Sequence, residues 1–237
     1  MNLILLYPTD FTTGQQVTLT DRRYTHIQKV HKAQPGQQLI VGLLNGKTGH
    51  GIVTSIDNTQ VTLDITLEAA PPVPLPLTLI IALPRPQMLK RILQTCATMG
   101  VKKIIFLHSQ RVEKSYWQTP ALNPEAIHEQ LILGLEQGKD TVLPEVVLEK
   151  RFKPFVEEQL PELCKQSLGL VAHPQPKTPT HPLDSHTPIT LVIGPEGGFI
   201  DYEIEKLVDA GCNILSLGPR ILRVETAVTA LLAKLFF

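Results

Sequence analysis

Two segments of this 237-residue chain combine residue types that could do chemistry. The first runs Ile193-Gly194-Pro195-Glu196-Gly197-Gly198-Phe199. Its glycines lack a Cβ, so the backbone can come close to a flat ligand and take up positive φ. The second runs Leu217-Gly218-Pro219-Arg220-Ile221-Leu222-Arg223-Val224-Glu225-Thr226-Ala227. It joins a Gly-Pro turn to two guanidiniums and a carboxylate, groups that can stabilise or move charge. Neither segment reads G-x-G-x-x-G, and no lysine follows the glycines, so a phosphate cradle or dinucleotide-dependent oxidoreductase is not expected. Taken alone, Gly194 to Phe199 fits an ordinary turn between strand and helix as well as a ligand loop. Glu225 fits the favourable end of a helix dipole as well as a catalytic role.

The surrounding elements place both segments where ligands bind in an open α/β sheet, just past the carboxyl end of a strand. Thr190 to Ile193 precedes the first, and Ile214 to Leu217 runs into the second. Asp201 is the expected N-cap of the helix after the first segment, with Ile204, Leu207 and Val208 facing a core and Gly211 after its end. The final helix carries Val224, Ala227, Val228, Leu231, Leu232 and Leu235 on one face. Upstream, strands at Thr78 to Leu83, Val101 to Leu107, Glu145 to Leu148 and Leu168 to Ala172 alternate with helices. One helix ends at Gly100, and others span Pro124 to Gln137 and Phe152 to Leu160. Repeated β-then-α units predict a parallel sheet covered by helices.

The first seventy residues differ. Val17 to Leu19, Gln38 to Leu44, Gly51 to Ile56 and Gln60 to Ile65 read as short strands, with Asn45-Gly46 as a hairpin turn. The amphipathic stretch Tyr24 to His31 interrupts them. A small β-barrel is expected. Four prolines between Pro71 and Pro76 then form a stiff connector. The expected domains are therefore 1–70 and 71–237.

Lys plus Arg and Asp plus Glu each number 22, so the formal net charge is zero. A nucleic-acid partner then requires local basic patches. Cys96, Cys164 and Cys212 have no C-x-x-C spacing and suggest neither a disulfide framework nor a zinc site. The segment from Ala172 to Pro188 holds His173, His181 and His186 without ligand spacing, so a surface loop and no metal are expected. No apolar run approaches the ~20 residues of a membrane span, and the N-terminus lacks a signal-peptide pattern. A cytoplasmic protein is expected.

In this order and at this separation, the two glycine segments resemble the C-terminal motifs of the bacterial 16S rRNA uridine-N3 methyltransferase family of the SPOUT superfamily. Gly194 to Phe199 matches its G-P-E-G-G-F stretch. Leu217 to Ala227 matches its L-G-P-R-I-L-R-x-E-T-A stretch. Weaker matches are Gln94 with Gly100-Val101, Ser109 with Arg111, Glu136-Gln137, and His173-Pro174. The resemblance implies a trefoil-knotted SPOUT α/β domain behind a PUA-like β-barrel that binds RNA. It implies a homodimer, S-adenosylmethionine as methyl donor, and 16S rRNA of the small ribosomal subunit as substrate. The donor would contact Leu191, Ile193, Gly194, Pro195, Glu196, Gly197, Gly198, Ser216, Leu217, Gly218, Ile221 and Leu222. Arg223 would stabilise charge on the base, and Glu196 or Glu225 would accept its proton. Arg22, Arg23, Lys29, Lys32, Arg85, Arg111 and Lys114 would meet RNA phosphates. The chain departs from the family pattern at Met88, at Thr98 and in Gly138-Lys139-Asp140. Those departures keep two alternatives open: a methyltransferase of another RNA such as tRNA, and a non-catalytic ribosome-assembly factor that retains the cofactor site.

Overall fold

The computed structural model describes residues 2–174 and 187–237. The chain divides into two compact units. One comprises Met1–Val73 together with Leu131–Leu143, and the other Pro74–Gln130 with Pro144–Phe237. The first unit thus takes in a segment that the sequence pattern assigned to the second.

The first unit is a six-stranded sheet. Its strands are β1 (Ile4–Leu6), β2 (Phe11–Thr13), β3 (Gln16–Leu19), β4 (Gln38–Leu43), β5 (Thr48–Ile56) and β6 (Val61–Ala69). Their order is β1-β4-β5-β6-β3-β2, with β1 and β4 parallel and the other neighbours antiparallel. Inward-facing Val41, Val53, Val61, Leu63 and Ile65 pack with Ile4, Leu6 and Leu19 into one core. Asn45 adopts φ +57 between β4 and β5, as the Asn-Gly signal requires. The stretch expected as one amphipathic helix is instead α1 (Arg22–His26) followed by a wider π-helical turn, Ile27–His31. Lys32 ends it at φ +49.

The second unit is an all-parallel sheet of β7 (Leu77–Ala82), β8 (Lys103–Leu107), β9 (Glu145–Glu149), β10 (Leu168–Ala172), β11 (Ile189–Ile193) and β12 (Asn213–Leu215). The order is β12-β10-β11-β7-β8-β9. β11 is a central strand, and all five of its residues are buried, as a strand covered on both faces demands. The helices are α2 (Pro86–Thr98), α3 (Pro124–Gly138), α4 (Phe152–Pro154), α5 (Leu160–Gln166), α6 (Asp201–Asp209) and α7 (Val224–Phe236). Only the first half of α3 belongs to this unit. The stretch expected as one helix from Phe152 to Leu160 is broken. A π-helical turn, Phe155–Gln159, separates α4 from α5. Pro154 and Pro161 flank it, and each lacks the N–H needed to carry the regular ladder through.

Two local expectations are corrected. Asp201 is the first helical residue of α6, and Ile200 is its cap. The Ile200 N–H is bound by the Glu203 carboxylate at 3.1 Å, so the reach-back of Glu203 sets the helix start. The last strand ends at Leu215, which leaves Ser216 and Leu217 in the following loop.

Candidate active site

The two glycine segments fold into one hollow in the second unit. In the sheet, β10 lies between β11 and β12. The loops leaving β11 and β12 therefore flank the carboxyl end of β10, the place where an open α/β sheet receives ligands. In the first loop, Gly198 takes φ +71 and donates its N–H to the Pro195 carbonyl at 2.8 Å, closing a tight turn. In the second, Gly218 takes φ +103 and donates its N–H to Ser216 Oγ at 3.1 Å. These are the positive-φ positions for which glycine is the low-cost residue.

The hollow opens to solvent, and the space at it, open solvent included, is about 600 Å³. Ala172, His173 and Pro174 line it from the end of β10, and Ile193, Gly194 and Gly198 from the first loop. The second strand and loop contribute Leu215, Leu217, Gly218, Arg220, Ile221 and Leu222, and α7 contributes Ala227 and Leu231. The His173 N–H donates to the Leu215 carbonyl at 3.0 Å, tying the ends of β10 and β12 together. The walls are mainly apolar, with backbone amide groups of the glycine turns among them. Such a surface suits a flat heterocycle carrying a few hydrogen-bonding edges. A Cβ at Gly194 would come 3.1 Å from the Phe199 ring, so a larger residue there would press on that ring. The residues present thus fit a nucleoside-type cofactor.

Seven residues expected at the cofactor are brought together: Ile193, Gly194, Gly198, Leu217, Gly218, Ile221 and Leu222. Five others do not line the hollow. Leu191 is fully buried in mid-strand, registered between Leu170 and Leu79, so its ladder bonds and side chain serve the sheet. Pro195 is buried, and its carbonyl closes the turn. Gly197 offers its carbonyl to Arg111 Nη1. Ser216 is buried and supports the backbone of Gly218. Glu196 faces Arg85: its Oε1 accepts the Arg85 N–H at 3.3 Å and lies 3.9 Å from Arg85 Nε. Arg223 is the exposed cap of α7, and Glu225 sits half-buried in that helix's first turn. Neither belongs to the lining of the hollow.

Of the residues expected to meet RNA, Arg23 is corrected. Its side chain is 6% exposed and its guanidinium is filled. It donates to Asp10 at 2.6 and 2.8 Å, to Asp21 at 2.8 to 3.1 Å and to the Leu5 carbonyl at 2.8 Å. A side chain so saturated has no donor left for a phosphate. Arg22 keeps 42% of its side chain exposed but is paired with Glu136. Lys29 and Lys32 in the first unit, and Arg85 and Lys114 in the second, are exposed. Arg111 is exposed too, and its Nη1 is bound to the glycine turn.

Sequence reasoning missed Glu203, which is 3% exposed and accepts from two loops. Its place three residues after the helix cap was the available signal. Among the described residues no group of three or more His, Cys, Asp or Glu is arranged to hold a metal ion. His181 and His186 lie outside the described residues. Among those residues, no helix is long and apolar enough to cross a membrane.

A family described as the RNA methyltransferase domain matches residues 71–236, and one described as the RNA methyltransferase PUA domain matches 19–66. The chain belongs to this RNA methyltransferase family. Its relatives include the ribosomal RNA small subunit methyltransferase E 1 of Borreliella burgdorferi, 27% identical over 97% of this chain and 95% of that one. The corresponding Synechocystis enzyme is 30% identical over 92% of this chain and 72% of its own length. Among solved structures, a Legionella pneumophila protein described as a methyltransferase, with S-adenosylmethionine bound, is 28% identical. It superposes with a TM-score of 0.70 over 99% of this chain and 97% of that one. The small subunit methyltransferase E of Neisseria gonorrhoeae has the same fold, with a TM-score of 0.74 at 22% identity over 98% and 95% of the two chains. The fold of this family member is thus the SPOUT α/β type behind a PUA-like domain.

Proposed function

We propose that this chain methylates N3 of a uridine in 16S rRNA of the small ribosomal subunit, using S-adenosylmethionine, as a cytoplasmic homodimer. The observation that carries the proposal is the single hollow shared by the two glycine turns, in a chain of the RNA methyltransferase family. The bound Legionella pneumophila relative supports the choice of donor.

S-adenosylmethionine would supply a methyl carbon already activated by its sulfonium. The chain's own work is then positioning, desolvation and charge control. Ile193, Leu217 and Leu222 would give the adenine apolar walls, and the turns at Gly194, Gly198 and Gly218 would give the nucleoside backbone hydrogen-bonding groups. Uridine N3 carries a proton, so attack on the methyl carbon requires that proton to leave. Negative charge then grows on the base. The exposed guanidinium of Arg223, at the positive end of α7, is suited to stabilise it. Glu225, in the first turn of the same helix, is the favoured proton acceptor, because Glu196 is already engaged by Arg85. The exposed Lys29, Lys32 and Lys114 are candidates for phosphate contacts.

Two measurements test this reading. Titration calorimetry with S-adenosylmethionine should give saturable one-site binding. Incubation of unmodified small subunits with chain and donor, followed by mass mapping of the rRNA, should place one methyl group on a uridine N3. Donor binding without transfer to any RNA would leave an assembly factor as the correct reading.

A further inference from the structure

The loop that follows β8 is fastened to the glycine turn that follows β11 at two points. Glu203, near the start of α6, is 3% exposed. Its Oε1 accepts the Gln110 N–H at 2.7 Å, and its Oε2 accepts the Ile200 N–H at 3.1 Å. One buried carboxylate thereby joins the backbones of two loops that are about ninety residues apart. Next to it, Arg111 Nη1 donates to the Gly197 carbonyl and reaches the Gly198 carbonyl at 3.5 Å. A Cβ at Gly197 would stand 3.0 Å from Arg111 Cδ, so glycine there admits the arginine stem. Ser109, in the same loop, has no exposed surface. The loop is therefore packed in place and not merely draped over the sheet.

We infer that Glu203 and Arg111 are positioning residues for the methyl donor, holding Gly194 to Phe199 in the open shape that forms one wall of the hollow. This rests on the S-adenosylmethionine reading above. A turn with glycines at positions 194, 197 and 198 has wide conformational freedom. If only a fraction of its conformers admits ligand, the apparent dissociation constant rises by the inverse of that fraction. Neither side chain lines the hollow, so their influence runs through the backbone of the turn. A charged carboxylate bound by two amide N–H groups, and a guanidinium bound to carbonyls, are the stronger class of hydrogen bond for such a task. The arrangement also accounts for Arg111 in terms other than RNA phosphate.

The test is titration calorimetry of the full chain with S-adenosylhomocysteine, for the wild type, Glu203→Gln, Arg111→Met and Arg111→Lys. In Glu203→Gln, one carbonyl oxygen remains but an NH₂ group faces the second amide. Its dissociation constant should rise about tenfold, the value expected if about a tenth of the turns stay open. Arg111→Met keeps the stem and loses the donors, and should weaken binding several-fold, with part of the loss restored in Arg111→Lys. Turnover at saturating donor should stay within about twofold of wild type, because bound donor selects the open turn. Hydrogen exchange of the Ile200 and Gln110 amides should quicken in Glu203→Gln, a change that a remote packing role would not produce. Wild-type affinity in both Glu203→Gln and Arg111→Met would overturn the inference, as would a loss confined to turnover at saturation. Failure of the wild-type chain to bind would overturn the donor reading instead.

Discussion

Arg22 and Glu136 stand 114 residues apart in the chain and meet as a two-pronged pair, Nη1 to Oε2 at 2.8 Å and Nη2 to Oε1 at 3.0 Å. The carboxylate is almost wholly buried, whereas the guanidinium is partly in water. Burial pushes the Glu136 carboxyl above its ordinary value of 4.5, and Arg22 and Arg23 pull it only part of the way back. The folded state therefore keeps this proton to higher pH than the unfolded chain does. The contribution of Glu136 is present at acid pH and declines as pH rises through the raised value. Removing Arg22 widens that window. Urea unfolding at a series of pH values should show Arg22→Ala losing about 1–3 kcal/mol at neutral pH, because a buried charged acceptor has lost its partner. The loss should shrink toward pH 4. In Arg22→Ala with Glu136→Gln, most of that pH dependence should vanish.

Arg23 serves the fold and not the RNA. Arg23→Met should destabilise the first unit by about 3 kcal/mol, since it strands the largely buried Asp10 carboxylate while Asp21 stays half exposed to water. RNA affinity of the fraction still folded should be unchanged, and filter binding below the unfolding midpoint checks this.

Asp21 gives the same cluster an acid signature. Burial opposes its ionised form, but hydrogen bonds from the Arg23 side chain and backbone more than offset this, and its carboxyl lies below the ordinary 3.8. The folded state releases this proton first. The stabilisation is complete above 3.8 and disappears as pH falls through the depressed value. Asp21→Asn should therefore flatten the acid limb of the stability profile, measured by circular dichroism between neutral and strongly acid pH.

Gly218→Ala isolates backbone conformation from steric contact. An added Cβ would meet nothing within 4 Å, yet φ is +103. The variant should lose about 1–2 kcal/mol locally, the cost of that conformation for a residue with a Cβ. Calorimetric affinity for S-adenosylmethionine should fall several-fold as the loop relaxes.

Arg223→Ala separates chemistry from binding. Its side chain lies outside the lining of the hollow. Donor affinity should change by less than about twofold, while methyl transfer should fall by about a hundredfold or more, the usual scale for losing one charge-stabilising group. Unchanged transfer would remove Arg223 from the reaction.

What was legible in the sequence was local. The apolar run of β11 and the glycines at 194, 198 and 218 follow from period and backbone freedom, and these residues meet at the hollow. What was not legible was pairing over distance. Arg22-Arg23 reads as a basic patch, because nothing nearby announces that Glu136 or Asp10 will neutralise it. Glu203 goes unnoticed in the sequence, since its partner Gln110 lies far upstream. Leu191 and Ile193 have the same residue character and, two residues apart, lie on the same face of the strand, but only Ile193, at the strand's end, reaches the hollow. The apolar spacing of Phe152 to Leu160 reads as one helix, whereas Pro154 and Pro161, each without an N–H, leave a π-helical turn between two short helices.

The position of β12 on the far side of β10 has a consequence for biosynthesis. Every strand of the sheet is translated before the wall made by Leu217 to Leu222 and by Ala227 and Leu231. A chain halted after Leu215 would own a nearly whole scaffold and a receptacle missing one side. The hollow is therefore closed only by residues that follow the last strand in the chain.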